Sequence, residues 1–594
     1  MTPYPHYPER HTRYLDGLWE LARLGPDADF DTVDPRSAVF DDYAEVPGVF
    51  DMSADHYGVR ELVLYRKTIT GFPAGKSRIR IEGLGLFGKV FFDGKKIGGC
   101  ETAYCSYAFD FICSSKKTHE IVIAVDNRFW DRKHSVLFDG FADFYGFGGI
   151  YRSVILQHLP DTFIDRVRVV TLDRTTGKVR LDVLTGGRKT DTITFRAAFD
   201  TNPSETYTVP VKNGTASLTT EVPGFRLWSP EHPNLHLLTV ETDDDKIVER
   251  FGIRTIETRG HDILLNGEKI YLQGFNRHES HPESGPVTNP SRIVNDLKWL
   301  RLSGANYIRT VHYQQDPMLL DLCDETGFLV WEETIGWGFY GPEVNEKFPR
   351  IRDANRAMIR RGINNPCIII WSFLNEGGNN REDTEDTYVK LVADIRKEDP
   401  TRLVSYCCWQ PNTREKCMEA IDIISRHLYP GWIGAPGAFG REKSSAFIRP
   451  ALKEIVKWAD SDPAARNKPL IISEIGTCAQ YGIHDRDFAP WSEEFQADYV
   501  TEAVKAVFQL KRITGLTIWQ MFDTKSYTRE CGNASLRSKF RGYNCAGLLD
   551  EYRRPKLAFD AVAKLYRAHK ATGKKTQRQP EPGSEFQNGN LAHQ

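Results

Sequence analysis

From about residue 260 onward the sequence alternates apolar runs of strand length with amphipathic helical windows, and it does so eight times. The runs occupy residues 270–275, 306–309, 328–331, 368–373, 403–407, 421–429, 470–475 and 516–522. A strand that is apolar along its whole length must be covered on both faces, which is the condition of a parallel sheet flanked by helices. Eight such units over residues 259–572 predict a closed (β/α)8 TIM barrel. Between the first two runs lies a helix, with Ser291 as its N-cap, Ile293, Leu297 and Leu300 on one stripe, and Gly304 as its stop. In such a barrel the reactive groups sit at the C-terminal ends of the strands, so active-site candidates should end strands.

Before residue 258 no helical period appears. Residues 78–81, 89–92 and 121–125 read as short strands, with a turn at Asp93–Gly94. A second set follows at 167–170, 179–183, 193–199 and 235–240, and about 100 residues of this kind predict a small β-sandwich. The expected division is therefore residues 1–157, 158–258 and 259–572, with a polar, aperiodic tail at 573–594 expected to be disordered.

The charge balance narrows the partner. Lys and Arg number 78 against 80 Asp and Glu, a net charge of −2, with no long run of either sign, which leaves no nucleic-acid surface and no anionic-membrane surface. A small molecule is the expected partner, and a homo-oligomer stays open. No leader-like apolar stretch opens the chain, no run of 18 apolar residues occurs, and the 11 cysteines include no C-x-x-C pair, so reduced thiols and a cytoplasmic location are expected.

Two acids stand where the barrel rule asks for them. The fourth run ends in Asn375-Glu376 and the seventh in Ser473-Glu474. Strands four and seven of a closed eight-strand barrel face each other across its mouth. Two opposed carboxylates can cleave an acetal, one as a protonated acid and the other as an ionised nucleophile or base. Either acid alone is equally well explained by an ion pair with a barrel-mouth arginine; both together, at these strand ends, are not. A protein that binds sugar without cleaving it, and a transglycosylase, are the competing readings. The first has no need of both acids.

The combination LDGLWEL at 15–21, DFYGFGGIYR at 143–152, LNGEKIYLQGFNRHESHP at 265–282, RTVHY at 309–313, NNPCIIIWSFLNE at 364–376, HLYPGW at 427–432, SEIG at 473–476 and IWQMFD at 518–523 resembles glycoside hydrolase family 2, the β-galactosidase and β-glucuronidase group. The resemblance implies an N-terminal jelly-roll-like β-sandwich of sugar-binding type, an immunoglobulin-like β-sandwich and a catalytic barrel. It makes Glu376 the acid/base and Glu474 the nucleophile of a retaining exo-β-glycosidase. It also has Asn375 bond the sugar 2-OH, Tyr429 orient the nucleophile, and Asp143 reach in from the first domain to the sugar hydroxyls. His278, His312 and Trp519 then line the pocket. Read without the resemblance, Trp519 could be core, Tyr429 a wall, the histidines satisfied mouth residues and Asp143 a surface loop.

Two departures bear on the substrate. The Glu-x-His magnesium pattern of the large β-galactosidases is absent from residues 332–339, so no metal and no cofactor are expected. The Asn-x-Lys motif with which β-glucuronidases meet the substrate carboxylate retains Asn544, but its lysine is Ala546. Removing one partner of a desolvated charge pair costs on the order of 3–5 kcal/mol, which favours a neutral β-galactoside-type sugar. A glucuronide or galacturonide is the alternative, with a substitute cation from Lys525, Arg529, Arg537, Lys539 or Arg541.

Overall fold

The structure, a computed structural model, describes residues 3–131, 133–134, 144–336, 342–377, 385–410, 413–431, 444–526 and 540–576. Two antiparallel sheets form the first unit. One runs Asp42–Val46, Gly17–Gly25, Leu62–Thr70, Thr118–Asp126, Phe87–Phe92, Lys95–Cys100, and the other Thr12–Tyr14, Val154–His158, Gly75–Ile81, Tyr107–Cys113. Strand Gly75–Ile81 buries alternate residues, as a sheet with one core face requires. Trp19, Tyr65, Ile79, Val90 and Ile123 fill the space between the sheets. The expected turn joins Phe87–Phe92 to Lys95–Cys100, with Asp93 and Gly94 both at positive φ, 49° and 74°.

A second sandwich follows. Thr162–Asp173, Lys178–Gly187 and Thr215–Glu221 form one layer, and Glu205–Lys212, Thr192–Phe199, His236–Glu241 and Lys246–Phe251 the other. The layers are linked where Val211 and Lys212 pair with Ala216 and Thr215.

Eight parallel strands then form the barrel: Leu272–Arg277, Tyr307–Thr310, Leu329–Glu333, Ile368–Asn375, Leu403–Cys407, Ile424–His427, Leu470–Ile475 and Ile513–Ile518. The seam between the fifth and sixth strands closes through the Cys408–Arg426 bridge, where the His427 amide donates to the Cys408 carbonyl at 2.9 Å. Every residue of Ile368–Asn375 is buried, which accounts for its mostly apolar text. The multidomain arrangement of β-sandwiches and a (β/α)8 barrel is the fold the periodicity predicted.

Four local expectations are corrected. Ile270 belongs to a separate meander, Ile256–Arg259, Asp262–Leu265 and Glu268–Ile270, whose tight turn at Asn266–Gly267 takes positive φ at both residues. The first helix is Pro290–Ser303 and its cap is Asn289, not Ser291. The Asn289 side chain accepts from the Arg292 amide, and Pro290 at the first helical position has no N–H to satisfy. The eighth strand starts at Ile513 and ends at Ile518, and Trp519 just beyond it stacks on His312. The last helix, Leu557–Thr576, runs past residue 572, and residues 577–594 of the expected tail lie outside the described residues. Among the described residues, none of the ten cysteines forms a disulfide. No helix among them is long and apolar enough to cross a membrane.

Candidate active site

The barrel's alternation sends Arg309, Glu333, Asn375 and Glu474 inward at the mouth. Arg309, fully buried, is the hub. Its Nη1 donates to Glu474 Oε1 at 2.6 Å and to Asn276 Oδ1 at 3.0 Å, and its Nη2 to Glu333 Oε2 at 2.8 Å and Asn375 Oδ1 at 2.7 Å. A buried guanidinium is tolerated only when paired and bonded in this way. Burial alone would raise the Glu333 carboxyl; Arg309, with His312 2.9 Å away on Oε1, holds it below the usual range instead.

Both oxygens of Glu474 receive donors, Arg309 on Oε1 and the Tyr429 hydroxyl on Oε2 at 2.5 Å. Charge-assisted bonds of this kind suit a carboxylate rather than an acid. Glu376 sits one residue beyond its strand with φ of 48°, in the left-handed region that non-glycine residues rarely adopt. Its side chain is 19% exposed against 4% for that of Glu474. His427 stands between the two, with Nδ1 2.5 Å from Glu376 Oε1 and 3.2 Å from Glu474 Oε2. Burial above all pushes this imidazole down to about 3, against the pull of the Glu474 charge.

Oxygens of Glu376 and Glu474 lie within 4.8 Å of one another and of a His427 ring nitrogen. That trio is also the group among the described residues whose atoms could hold a cation. The guanidinium bound to Glu474 opposes one electrostatically, and both oxygens of that carboxylate are already engaged.

Around the acids the walls are aromatic. Trp519 stacks on His312, with ring centroids 5.4 Å apart, and meets His278 edge-on at 5.7 Å. Phe144 comes from the first sandwich to within 5.2 Å of the His278 ring. His278 Nδ1 lies 3.2 Å from the Tyr313 hydroxyl, and burial, ahead of His312 and Arg309, pushes its imidazole well down. Among the described residues His278 Nε2, Asn375 Nδ2 and His427 Nε2 are buried polar atoms without a protein partner. A site whose walls offer such atoms is fitted to a polar guest.

The structure thus brings together Glu376, Glu474, Asn375, Tyr429, His278, His312 and Trp519. Asp143 lies outside the described residues, as do Arg529, Arg537 and Lys539. Asn544 is fully buried, pairs with Thr524 across a short ladder, and accepts from the Ala546 amide at 3.0 Å. Ala546 packs in a small apolar cluster with Val311, Cys478, Trp519 and Cys545. Lys525 is 8% exposed. Its Nζ donates to the Tyr57 hydroxyl at 2.5 Å and lies 4.3 Å and 5.0 Å from the Tyr57 and Tyr145 ring centres. Among the described residues no carboxylate forms an ion pair with it.

Sequence reasoning missed Arg309, Glu333 and His427. The first and third lie in the quoted RTVHY and HLYPGW stretches, and the available signal was a charged or polar residue inside a strand buried along its length.

Comparison with known proteins agrees with this architecture. Residues 162–254 match the family model for glycosyl hydrolases family 2, and residues 256–568 match its TIM barrel domain. A protein of Formosa agariphila is 28% identical over 60% of this chain and 44% of its own length. The beta-glucuronidase of Mus musculus is 27% identical over 76% of this chain and 69% of its own. Among solved structures, the GH2 beta-galacturonidase of Eisenbergiella tayi bound to galacturonate superposes with a TM-score of 0.84 at 29% identity, covering 96% of this chain and 98% of that one. The matched family models span more than half of the sequence, and the chain belongs to glycosyl hydrolases family 2, as a glycoside hydrolase.

Proposed function

We propose that this enzyme is a retaining exo-β-glycosidase acting on a terminal β-uronide, a glucuronide or galacturonide, with Glu474 as nucleophile and Glu376 as acid/base. The observation that carries the mechanism is the opposed pair with oxygens within 4.8 Å. Retaining enzymes hold their carboxyl groups about 5–5.5 Å apart, whereas inverting ones leave about 6.5–9.5 Å for a water. In the first step Glu474 attacks the anomeric carbon, the glycosidic C–O bond breaks, and Glu376 gives its proton to the leaving oxygen. In the second, Glu376 takes a proton from water as that water displaces Glu474. Arg309 and Tyr429 hold the nucleophile, and Asn375 Nδ2 donates to the sugar 2-OH, a role supported by its lacking a protein partner among the described residues. The same reading divides the chain near residues 157 and 258, supported by the family matches beginning at 162 and 256.

The expected neutral galactoside finds no support among these relatives, a beta-glucuronidase and a beta-galacturonidase. Ala546 removes one ammonium, but Lys525 supplies another in the same loop region. It is buried against two tyrosines, with no ion pair among the described residues, and its carbonyl accepts from the Tyr145 amide, next to Phe144 of the pocket wall. We assign it as the substrate's counter-charge. Paired nitrophenyl substrates at one pH test this. The wild type should prefer a β-uronide over the β-galactoside by at least tenfold in kcat/KM, about 1.4 kcal/mol in the transition state. Lys525→Met should erase the preference. A faster galactoside would overturn the uronide reading, and an unchanged preference in the variant would overturn the role of Lys525.

A further inference from the structure

We propose that His427 is a positioning residue that shares one N–H between the two catalytic carboxylates and thereby decides which oxygen of Glu376 carries the proton. The inference rests on the acid/base and nucleophile assignments above. Its basis is placement: Nδ1 lies 2.5 Å from Glu376 Oε1 and 3.2 Å from Glu474 Oε2, and the residue is 1% exposed. A nitrogen lone pair aimed at Oε2 of the Glu474 carboxylate, which is held by Arg309 and Tyr429, would be repelled, so we place the hydrogen on Nδ1. The backbone fixes it there, because the His427 amide donates to the Cys408 carbonyl and the next amide, of Leu428, to the Glu474 carbonyl, both at 2.9 Å.

The charged and titratable groups that bear on it come from four other strands and its own segment. Arg309 and His312 follow from the second, Glu333 from the third, Glu376 from the fourth and Glu474 from the seventh, while Tyr429 lies on its own segment. Burial keeps the imidazole neutral among them, so it acts as a fixed dipole and not as a third acid.

The consequence is directional. With Oε1 of Glu376 accepting from His427, the acid proton resides on Oε2, the oxygen that must face the leaving group. After that proton is transferred, the same N–H stabilises the carboxylate left behind, ready to act as base. A hydrogen bond to the ionised form lowers a carboxyl pKa. Removing His427 therefore raises that of Glu376 and moves the alkaline limb of kcat/KM to higher pH.

The test is the pH profile of kcat/KM on an alkyl β-uronide, whose leaving oxygen needs the proton, for wild type, His427→Ala and His427→Asn. The alanine variant should lose about ten- to a hundredfold in rate at the optimum, with its alkaline limb raised by about one pH unit. The asparagine variant, whose amide restores an N–H donor, should return the limb toward the wild-type position. An alkaline limb unmoved in the alanine variant would overturn the proposal whatever the loss of rate. So would an asparagine variant with the alanine profile. Glu376→Gln provides the separate control: if the alkaline limb persists in it, the assignment of Glu376 fails, and the role of His427 falls with it.

Discussion

Glu474→Gln is expected to lower kcat by about 10⁴-fold or more on every substrate, because the variant has no anion with which to form the glycosyl-enzyme. The loss should appear with good and poor leaving groups alike, since attack by Glu474 and departure of the leaving group are one step. In the wild type, a 2-deoxy-2-fluoro β-uronide should label Glu474 covalently, and peptide mapping reads the site directly. Labelling elsewhere, or appreciable turnover by the variant, would remove Glu474 from the role. The side chain is held by Arg309 at 2.6 Å and Tyr429 at 2.5 Å, so an amide there also breaks the charge pairing of a buried guanidinium. Comparing unfolding midpoints of wild type and variant keeps that structural cost separate from the chemical one.

The second large effect concerns Glu376. Glu376→Ala should slow glycosides of poor leaving groups, such as simple alkyl alcohols, by about 10²–10⁴-fold. Nitrophenyl glycosides should lose far less in the first step, because a nitrophenolate departs without a proton. Their turnover then becomes limited by hydrolysis of the intermediate, where the base is missing, and a burst of nitrophenol equal to the enzyme concentration is expected. Equal losses on both substrate classes, without a burst, would deny Glu376 the acid role.

Much of the scaffold was legible because burial writes itself into local text. All eight barrel strands were found, since apolar runs set between helical windows mark them in the sequence. Edges were less legible. Ile270 fell in the meander rather than the barrel because the Asn266–Gly267 turn, not apolarity, decides the pairing. The helix start moved to Asn289 because Pro290 is tolerated at the first helical position, which Ser291 as a cap would have left unused.

Within the site, Glu376 and Glu474 could be found because strand ends are predictable from strand bodies. Arg309, Glu333 and His427 could not, because each matters through a partner far away in the chain. Arg309 meets Glu474 across 165 residues, and His427 meets Glu376 across 51. The choice of sugar turns on the same kind of distance. Ala546 is visible as a lost ammonium, whereas the burial of Lys525 depends on Tyr57, 468 residues earlier.

All of these assignments rest on one stereochemical claim, that the opposed carboxylates act by double displacement. Proton NMR of the anomeric region during early hydrolysis of a nitrophenyl β-uronide tests it without any variant. The β-anomer of the free sugar should appear first, with the α-anomer growing in only as mutarotation proceeds. An α-anomer formed first would mean a single displacement by water and would contradict the account.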